Sequence, residues 1–435
     1  MARSADVWRN WARNQQARPR ATATPASTAE VAAAVKDAGE RNLKVRMTGT
    51  GHSFTPAAVT DGLLLRPQRL GQVRSVDAEA GLVTAAAGCP LRVLNETLLQ
   101  HGLSLANMGD IQEQTVAGAI QTGTHGTGRD LGSIAAQVAE LELVLADGSV
   151  VTCSAEQDPD LFNAARVGLG ALGVLTAVTF RVVPAFLLKA REEPMRWAEV
   201  VSRLDEFTAG NEHFEFYWFP HSEGCLVKRN NRTSGPARPL PRLRYLLDDE
   251  FLSNSVFGLT CRLGHTFPGM IKAVNGIAAK ALGARSYAEP AHRVFTSPRR
   301  IRFKEQEYAI GREHLPAALA EIRALFGKRS WRISFPIEVR VAPADDIWLS
   351  TAQGRDSAYI AIHVYYLSDH REYFREVEAV MTAVGGRPHW GKMHTRDASY
   401  LRDVFPRFDD FLALRDRLDP QRRFGNVYLS QVLGP

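Results

Sequence analysis

The stretch that decides the fold is Arg46-Met47-Thr48-Gly49-Thr50-Gly51-His52-Ser53-Phe54, which ends a short run of β-forming residues from 43 to 46. Its glycines let backbone N–H groups turn outward with positive φ and approach a bulky anion such as a pyrophosphate. His52 stands in the middle of this glycine loop. An imidazole at this place is a hydrogen-bond donor or a nucleophilic tether for a cofactor, unless the segment is a plain tight turn with a surface histidine.

A second loop of the same kind follows further along the chain. It reads Thr115-Val116-Ala117-Gly118-Ala119-Ile120-Gln121-Thr122-Gly123-Thr124-His125-Gly126-Thr127-Gly128. Because both loops combine glycine, threonine and histidine in β-rich surroundings, they suggest two walls of one site for a phosphate-containing ligand. Neither fits the common nucleotide motifs, since Phe54 stands where a dinucleotide fold needs its third glycine and no Gly-Lys-Ser/Thr follows. A different nucleotide-binding architecture is therefore expected.

Length and composition indicate a globular protein with two domains. A chain of 435 residues is too long for one core, and its 45% hydrophobic residues are enough to fill two. The net charge of +6 is modest and the basic residues form no continuous tract. Nucleic acid is therefore not an expected partner, whereas an anionic small molecule is compatible with this charge.

The cysteines and the apolar runs bear on the cellular compartment. Cys89, Cys153, Cys225 and Cys261 lie far apart, so neither a disulfide framework nor a zinc site is indicated and a cytoplasmic location is expected. The N-terminal residues lack the apolar segment of a signal peptide. The longest apolar run, 167–180, is too short and too rich in glycine to span a bilayer, so no integral membrane segment is expected.

The N-terminal part of the chain predicts alternating helices and short strands. Ser27 and Glu30 form a capping box for a helix over 28–40, and Pro90 opens a helix over 91–100. Asp147-Gly148 predicts a hairpin turn. Together these patterns predict an α+β block, with strands expected over 61–65, 73–76, 82–87, 138–146 and 149–153.

The part that follows has a different character. Alternating aromatic residues over 214–219 predict a strand, and the apolar spacing over 315–326 predicts a helix. We expect a second domain built on an antiparallel sheet with helices on one face. The arginine-rich segment 229–244 favours a solvated surface loop or lid over a specific anion site.

Three compact clusters late in the chain carry titratable residues: Phe335-Pro336-Ile337-Glu338-Val339-Arg340, Ile360-Ala361-Ile362-His363-Val364-Tyr365-Tyr366 and Pro388-His389-Trp390-Gly391-Lys392-Met393-His394. Strand alternation places Glu338 and Arg340 on one face, where a structural ion pair is the usual outcome. An apolar strand around His363 fits a core histidine as well as a base. Lys392 beside Trp390 fits a surface lysine as well as a site residue. His389 and His394 do not match a helical zinc pair, so no metal is expected.

With these residues collected, the chain resembles the vanillyl-alcohol-oxidase (PCMH-type) flavoproteins, and within them the aldonolactone oxidoreductases. The matching motifs occur in the family's order over almost the full length, at 48–54, 107–110, 115–118, 123–128, 335–340 and 389–392. The resemblance implies a two-subdomain FAD-binding domain over 1–187, an α+β substrate domain on an antiparallel sheet over 188–385, and a C-terminal segment, 386–435, that returns to the FAD domain.

The resemblance also implies which residues form the site. His52 matches a histidine that carries a covalent flavin bond in many members but not in all. Glu338, Arg340, His363 and Lys392 are implied to line the substrate side, with Arg340 and Lys392 binding substrate oxygens, Glu338 orienting Arg340, and His363 accepting the proton. The residues implied to bind FAD are Arg46, Thr48, Gly49, Thr50, Gly51, His52, Ser53, Gly109, Asp110, Thr115, Gly118, Thr122, Gly123, His125, Gly126, Gly128, Gly173 and Val174.

Three positions refine the implied activity. Gly109 matches a position beside the flavin where a small residue is associated with access of oxygen, which favours an oxidase. Asp110 and Tyr365 replace the serine and threonine of alditol-oxidising members, which favours a ring-shaped lactone substrate.

The implied reaction is oxidation of an aldono-1,4-lactone, of the L-gulono or D-arabinono type, at its 2-hydroxyl, with transfer of a hydride to flavin N5 and reoxidation by O2 to give H2O2. The alternatives are an alditol oxidase acting on xylitol or sorbitol, a lactone dehydrogenase with another electron acceptor, and a flavin-binding protein without catalysis.

Overall fold

The computed structural model describes residues 7–241, 257–273, 275–276, 283–297 and 300–435. Its N-terminal part contains a small parallel sheet that positions the first glycine loop. Ser27 accepts the N–H of Glu30 and caps the helix Thr28–Glu40, as the capping box predicts. The buried face of this helix covers the sheet with Val31, Val35 and Ala38. The strands of the sheet, in spatial order, are Ala21–Ala23, Leu63–Leu65 and Val45–Met47.

A five-stranded antiparallel sheet forms the second layer of this part. Its central strand, Val174–Arg181, is buried along almost its whole length because both neighbours and the surrounding helices cover it. The helices are Leu91–Gln100, Val116–Gln121 and Pro159–Ala165. The strands, in spatial order, are Val150–Ser154, Val138–Val144, Val174–Arg181, Leu82–Ala86 and Val73–Asp77.

The remainder of the fold is built on an eight-stranded antiparallel sheet, as the sequence predicts. One face carries apolar residues such as Val339 and Ile360, which pack against helices. The strands, in spatial order, are Arg285–Pro290, Leu187–Arg196, Gly224–Thr233, His213–Trp218, Ile337–Ala342, Ser357–Tyr365, Phe303–Gly311 and Arg387–Pro388. The helices associated with this sheet are Trp197–Ser202, Leu204–Ala209, Phe257–Thr266, Ala291–Phe295, Leu315–Lys328 and Arg371–Ala383.

The C-terminal segment packs back onto the N-terminal part. The side chain of Asn426 donates hydrogen bonds to the carbonyls of Pro56, Ala57 and Val59. Phe424 enters the hydrophobic cluster beneath the helix Thr28–Glu40. These contacts hold the C-terminal residues against the segment that follows the first glycine loop, and the helices involved are Ala398–Val404, Phe408–Leu418 and Val427–Leu433.

Two short ribbons and five single turns complete the described residues. The ribbons pair Trp8–Arg9 with Gln16–Ala17 and Leu103–Ser104 with Val183–Pro184. The turns are 3-10 helices at Pro56–Ala58, Pro67–Arg69, Ala135–Gln137, Pro268–Met270 and Arg312–His314.

Two segments differ from the sequence predictions. The second glycine loop contains a short helix, Val116–Gln121, because Thr115 accepts the Gly118 N–H and caps it. In the arginine-rich segment, residues 229–233 belong to the strand Gly224–Thr233 rather than to a loop, since this strand pairs with Leu187–Arg196 over its full length. The end of that segment, 242–244, lies outside the described residues.

Candidate active site

The two glycine loops meet, as the sequence predicts for two walls of one site. A Cβ added to Gly49 would lie 2.7 Å from the Thr115 Oγ1, so only glycine allows this approach. Both loops line one cleft with an empty volume of about 960 Å³.

Most of the residues implied to bind FAD line this first cleft. They are Arg46, Thr48, Gly49, Thr50, Gly51, His52, Ser53, Thr115, Gly118, Thr122, Gly173 and Val174. Asp110 and His125 line a second, adjoining cleft instead. Gly109, Gly123, Gly126 and Gly128 line neither cleft. Gly126 serves close packing, because a Cβ there would lie 2.1 Å from the Met108 carbonyl oxygen.

Arg46 holds the backbone around the first cleft. Its guanidinium donates to the carbonyls of Ala57, Leu169, Gly170 and Phe424, which belong to three separate segments. Burial lowers the pKa of Arg46 to about 10, so the side chain stays charged at neutral pH. The structure therefore gives Arg46 a role in fixing the loops, in addition to its place in the lining.

His52 lies where the two clefts join. Its ring stacks on Trp11 with a centroid separation of 5.6 Å. Burial lowers the pKa of His52 below its ordinary value, so the imidazole is neutral at neutral pH and keeps a lone pair. A neutral imidazole is the form that can act as a nucleophile toward a cofactor. The residues that line both clefts are His52, Ser53, Gln114 and Thr122.

The second cleft, with an empty volume of about 1120 Å³, lies on the polar face of the eight-stranded sheet. Arg340 donates through Nε to the Glu215 Oε2 at 2.8 Å and through Nη2 to Glu338. Burial lowers the pKa of Arg340, but the charges of Glu338 and Glu215 outweigh this effect and raise it well above its ordinary value. The Tyr217 hydroxyl donates to Glu338 at 2.9 Å. The ion pair predicted from strand alternation is therefore present, and it faces the cleft.

Glu305 joins Lys392 and His363 in the same cleft. Lys392 donates to the Glu305 Oε2, and the His363 Nε2 lies 3.3 Å from the Glu305 Oε1. Burial lowers the pKa of Lys392, but Glu305 and Glu307 outweigh this effect and raise it above its ordinary value. Lys392 therefore carries a half-buried positive charge in the cleft, where it is paired with Glu305.

Glu307 joins two further histidines beside this cluster. The His125 Nε2 lies 3.1 Å from the Glu307 Oε1. The ring of His125 stacks on that of Tyr359 with a centroid separation of 3.6 Å. Burial raises the pKa of Glu307, but His125 and His389 outweigh this effect and hold it well below its ordinary value. Burial lowers the pKa of His389 to about 3, so this ring is neutral.

Within the described residues, these three side chains have donor atoms within 4.8 Å of one another, close enough to chelate an ion. However, the His389 Nδ1 accepts the Gly391 N–H, so its Nε2 carries the proton. The His125 Nδ1 bonds to the Gly126 carbonyl and its Nε2 to Glu307. We therefore assign the three no metal. The expectation of a metal-free site stays a prediction.

Sequence reasoning missed Glu305, Glu307, His389 and Glu215. The signal was present in Phe303-Lys304-Glu305-Gln306-Glu307-Tyr308, where two carboxylates stand two residues apart in a β pattern and so share one face. Their importance appears only when the strand Phe303–Gly311 pairs with Ser357–Tyr365 and brings Glu305 opposite His363.

The position predicted for Tyr365 was wrong. Its side chain packs with Cys261 and Phe335 and lines a separate, third cavity rather than the second cleft. This residue lies at the end of its strand, beyond His363, so it does not narrow the cleft as expected.

Comparisons with known proteins agree with the geometry. A family model described as an FAD binding domain matches residues 19–154, and one described as D-arabinono-1,4-lactone oxidase matches residues 178–432. The chain belongs to the D-arabinono-1,4-lactone oxidase family. The predictions of family and of FAD as cofactor are thereby confirmed. The paired clefts fit an elongated cofactor, since they adjoin and share the lining residues His52, Ser53, Gln114 and Thr122.

Two relatives align with this protein over nearly the whole of both chains. An L-gulono-1,4-lactone dehydrogenase from Mycobacterium tuberculosis is 42% identical, with 99% of each chain covered. An L-gulonolactone oxidase from Bos taurus is 35% identical, with 98% of each chain covered.

A cholesterol oxidase from Brevibacterium sterolicum has the same fold, with a TM-score of 0.80, 19% identity, and coverage of 99% of this chain and 96% of that chain. This likeness confirms the predicted α+β fold class. Among the described residues, no helix is long and apolar enough to cross a membrane.

Proposed function

We propose that this chain oxidises an aldono-1,4-lactone of the L-gulono or D-arabinono type at its 2-hydroxyl, with FAD as the hydride acceptor and O2 as the oxidant that regenerates it. The observation that supports this most is the second cleft, which joins the glycine-loop cleft at His52 and carries Lys392, Arg340, Glu338 and His363 on its wall. Positive charges paired with carboxylates suit a small polyhydroxylated substrate.

When bound, FAD supplies the acceptor for the hydride that leaves the carbinol carbon. Lys392 and Arg340 then bind substrate oxygens and stabilise negative charge that develops during the reaction. Glu338 orients Arg340 through their ion pair and accepts a hydrogen bond from a substrate hydroxyl. His363 takes part in the transfer of the hydroxyl proton.

The cofactor assignments rest on the geometry of the first cleft. Residues 48–53 and 115–122 are assigned to the pyrophosphate and ribityl part, and His52 to covalent attachment. Gly173 and Val174 also line this cleft and are assigned to the cofactor. The domain boundaries 1–187, 188–385 and 386–435, and the cytoplasmic location, stay predictions.

We assign O2 as the electron acceptor, and the residue that supports this is Gly109. A Cβ at this position would lie 3.0 Å from the Thr124 Cγ2 and 3.2 Å from the His125 carbonyl oxygen. A side chain here would therefore crowd the segment that carries His125, a residue of the second cleft. The family resemblance associates a small residue at this position with access of oxygen to the flavin, and H2O2 is then the product.

A substrate panel tests the proposal. Purified holoprotein is mixed anaerobically with L-gulono-1,4-lactone, D-arabinono-1,4-lactone, xylitol and sorbitol, and bleaching of the flavin absorbance is followed. We expect bleaching by lactones and none by the polyols. Bleaching by polyols alone would replace the proposal with an alditol oxidase, and no bleaching by any of them would leave only flavin binding. Consumption of O2 against reduction of an added dye or cytochrome then identifies the acceptor.

A further inference from the structure

The ring of His363 lies between two hydrogen-bond acceptors. Its Nδ1 is 3.2 Å from the Pro336 carbonyl oxygen, and its Nε2 is 3.3 Å from the Glu305 Oε1. A carbonyl oxygen only accepts, so the Nδ1 carries a proton. In a neutral ring the Nε2 would then direct a lone pair at a carboxylate. That arrangement is unfavourable in a buried site, and a hydrogen bond forms only when the two residues hold one additional proton between them.

The surroundings fix this arrangement. The ring of His363 packs edge-on against Phe303 at 5.2 Å and is stacked beside Phe335 at 6.2 Å, so it cannot turn freely to exchange its nitrogens. Glu305 is also held, because Lys392 donates to its other oxygen. Burial raises the pKa of Glu305, but the charges of Lys392 and His363 outweigh this effect and hold it below its ordinary value. The carboxylate is therefore ionised and its geometry is fixed.

The pair lies among charges of both signs. Lys392 is a nearby cation and disfavours extra positive charge, whereas carboxylates on the same strand and on the neighbouring strand favour it. The other titratable or charged groups that line the same cleft are Glu307 on the strand of Glu305, Glu338 and Arg340 on the strand Ile337–Ala342, Tyr217 on the strand His213–Trp218, His389 and Lys392 after the strand Arg387–Pro388, and His52, Asp110 and His125 from the loops of the N-terminal part.

We propose that Glu305 is a positioning residue and that Glu305 and His363 share one proton in the resting protein, so that His363 accepts the substrate proton only after this shared proton has left. This inference rests on the proposed function. In the oxidation the O–H proton moves to the His363 Nε2, the O–H electron pair becomes the C=O π bond, and the C–H pair leaves as the hydride that FAD accepts.

The consequence is a defined pH dependence. Reduction of the flavin by a lactone rises with pH as the shared proton leaves, and reaches a plateau when it is lost. In Glu305→Gln the amide no longer holds positive charge on the ring and can donate to the Nε2, so the ring is neutral at lower pH. We expect the midpoint of the profile to move down by about one pH unit or more.

Nitrogen NMR of holoprotein labelled with ¹⁵N-histidine tests the shared proton without any substrate. His363→Gln identifies the His363 signals. At pH 7.5 we expect both ring nitrogens of His363 at imidazolium shifts in the wild type, and a neutral ring protonated at Nδ1 in Glu305→Gln. Glu307→Gln is the matched comparison, because it makes the same change two residues along the same face and alters the partner of His125 instead.

A neutral His363 in the wild type at pH 7.5 would overturn the inference, and this reading stands even if Glu305→Gln does not fold. An imidazolium in both the wild type and Glu305→Gln would overturn it too.

Stopped-flow measurement of flavin reduction by the lactones, over a range of pH, separates this inference from the proposed function. If no lactone reduces the flavin, the proposed function fails while the NMR result still decides the shared proton. If lactones reduce it with the same pH midpoint in both proteins, the positioning role of Glu305 is refuted.

Discussion

Lys392 and His363 belong to different segments but act on one carboxylate, Glu305. Both side chains therefore contact the same carboxylate, and a substitution at one changes the surroundings of the other. His52 differs from them, because it meets no carboxylate at ion-pair distance within the described residues and burial keeps its ring neutral. At the scale of single residues the site thus holds the neutral imidazole of His52 at the glycine loops, and the cations Lys392 and Arg340 with their carboxylate partners beyond it.

The His52 assignment predicts the fate of the flavin on denaturation. We expect acid precipitation of the wild type to leave the yellow colour in the pellet, and that of His52→Ala to release it into the supernatant, because the only proposed link is removed. His101→Ala changes an exposed histidine and should behave as the wild type. Retention of the flavin by His52→Ala would refute the tether.

Substitution of Lys392 tests charge stabilisation in the second cleft. We expect Lys392→Ala to lower the rate of flavin reduction by a lactone by about 10²-fold or more, since it removes a positive charge from the second cleft. The measurement is anaerobic stopped-flow absorbance at saturating lactone. Lys189→Ala, which changes an exposed lysine, is the control. A decrease of less than about threefold would remove Lys392 from the site.

At the scale of elements, the contact between the two glycine loops is the feature that shapes the first cleft. The strand Val45–Met47 leads into the first loop, and the capped helix Val116–Gln121 lies within the second, with Gly49 and Thr115 in contact. The cleft therefore depends on a pair of small groups rather than on any large side chain.

This contact predicts a rescue. Gly49→Ala places a methyl group 2.7 Å from the Thr115 Oγ1, so we expect weaker retention of FAD and a loss of stability of about 1–3 kcal/mol. Adding Thr115→Ala removes the clashing atoms, and the double variant should bind FAD better than Gly49→Ala alone, although it lacks the helix cap. Thermal unfolding of the holoproteins and FAD retained on gel filtration are the measurements. Additive losses in the double variant would contradict the contact.

Elements with local signals were predictable from the sequence. The helix Thr28–Glu40 follows its capping box, and Glu338 and Arg340 share a face because strand alternation requires it. The place of Glu305 in the site was not predicted, because it depends on pairing with a strand more than fifty residues away in the sequence. No local pattern encodes that partner. The placement of Tyr365 failed for a related reason: alternation gives its face, but the extent of the cleft along the strand depends on the whole sheet.

At the scale of the whole molecule, the C-terminal segment ties the last residues to the first glycine loop. Arg46 donates to the Phe424 carbonyl, and Asn426 caps the helix Val427–Leu433 while donating to three carbonyls near residue 57. Segments separated by more than 360 residues therefore stabilise one another.

Removal of this tie should lower global stability. We expect Asn426→Ala to cost about 1–3 kcal/mol of unfolding free energy, because it removes a helix cap and leaves backbone carbonyls without a donor. Urea unfolding of the holoprotein, followed by tryptophan fluorescence, measures this. Ser430→Ala, at an exposed position of the same helix, should change it by less than about 0.5 kcal/mol. Equal effects of the two substitutions would show that the hydrogen bonds of Asn426 contribute little to the free energy of unfolding.

The eight-stranded sheet has a consequence for engineering. Along three neighbouring strands, alternate residues face the helices, and the residues that line the second cleft, Glu305, Glu307, Glu338, Arg340 and His363, belong to the other set. Substrate preference can therefore be redesigned by varying alternate codons, with the intervening apolar positions left untouched. A library that varies only the cleft-facing positions of these strands should contain a much higher fraction of folded members than a library of equal size that also varies the helix-facing positions.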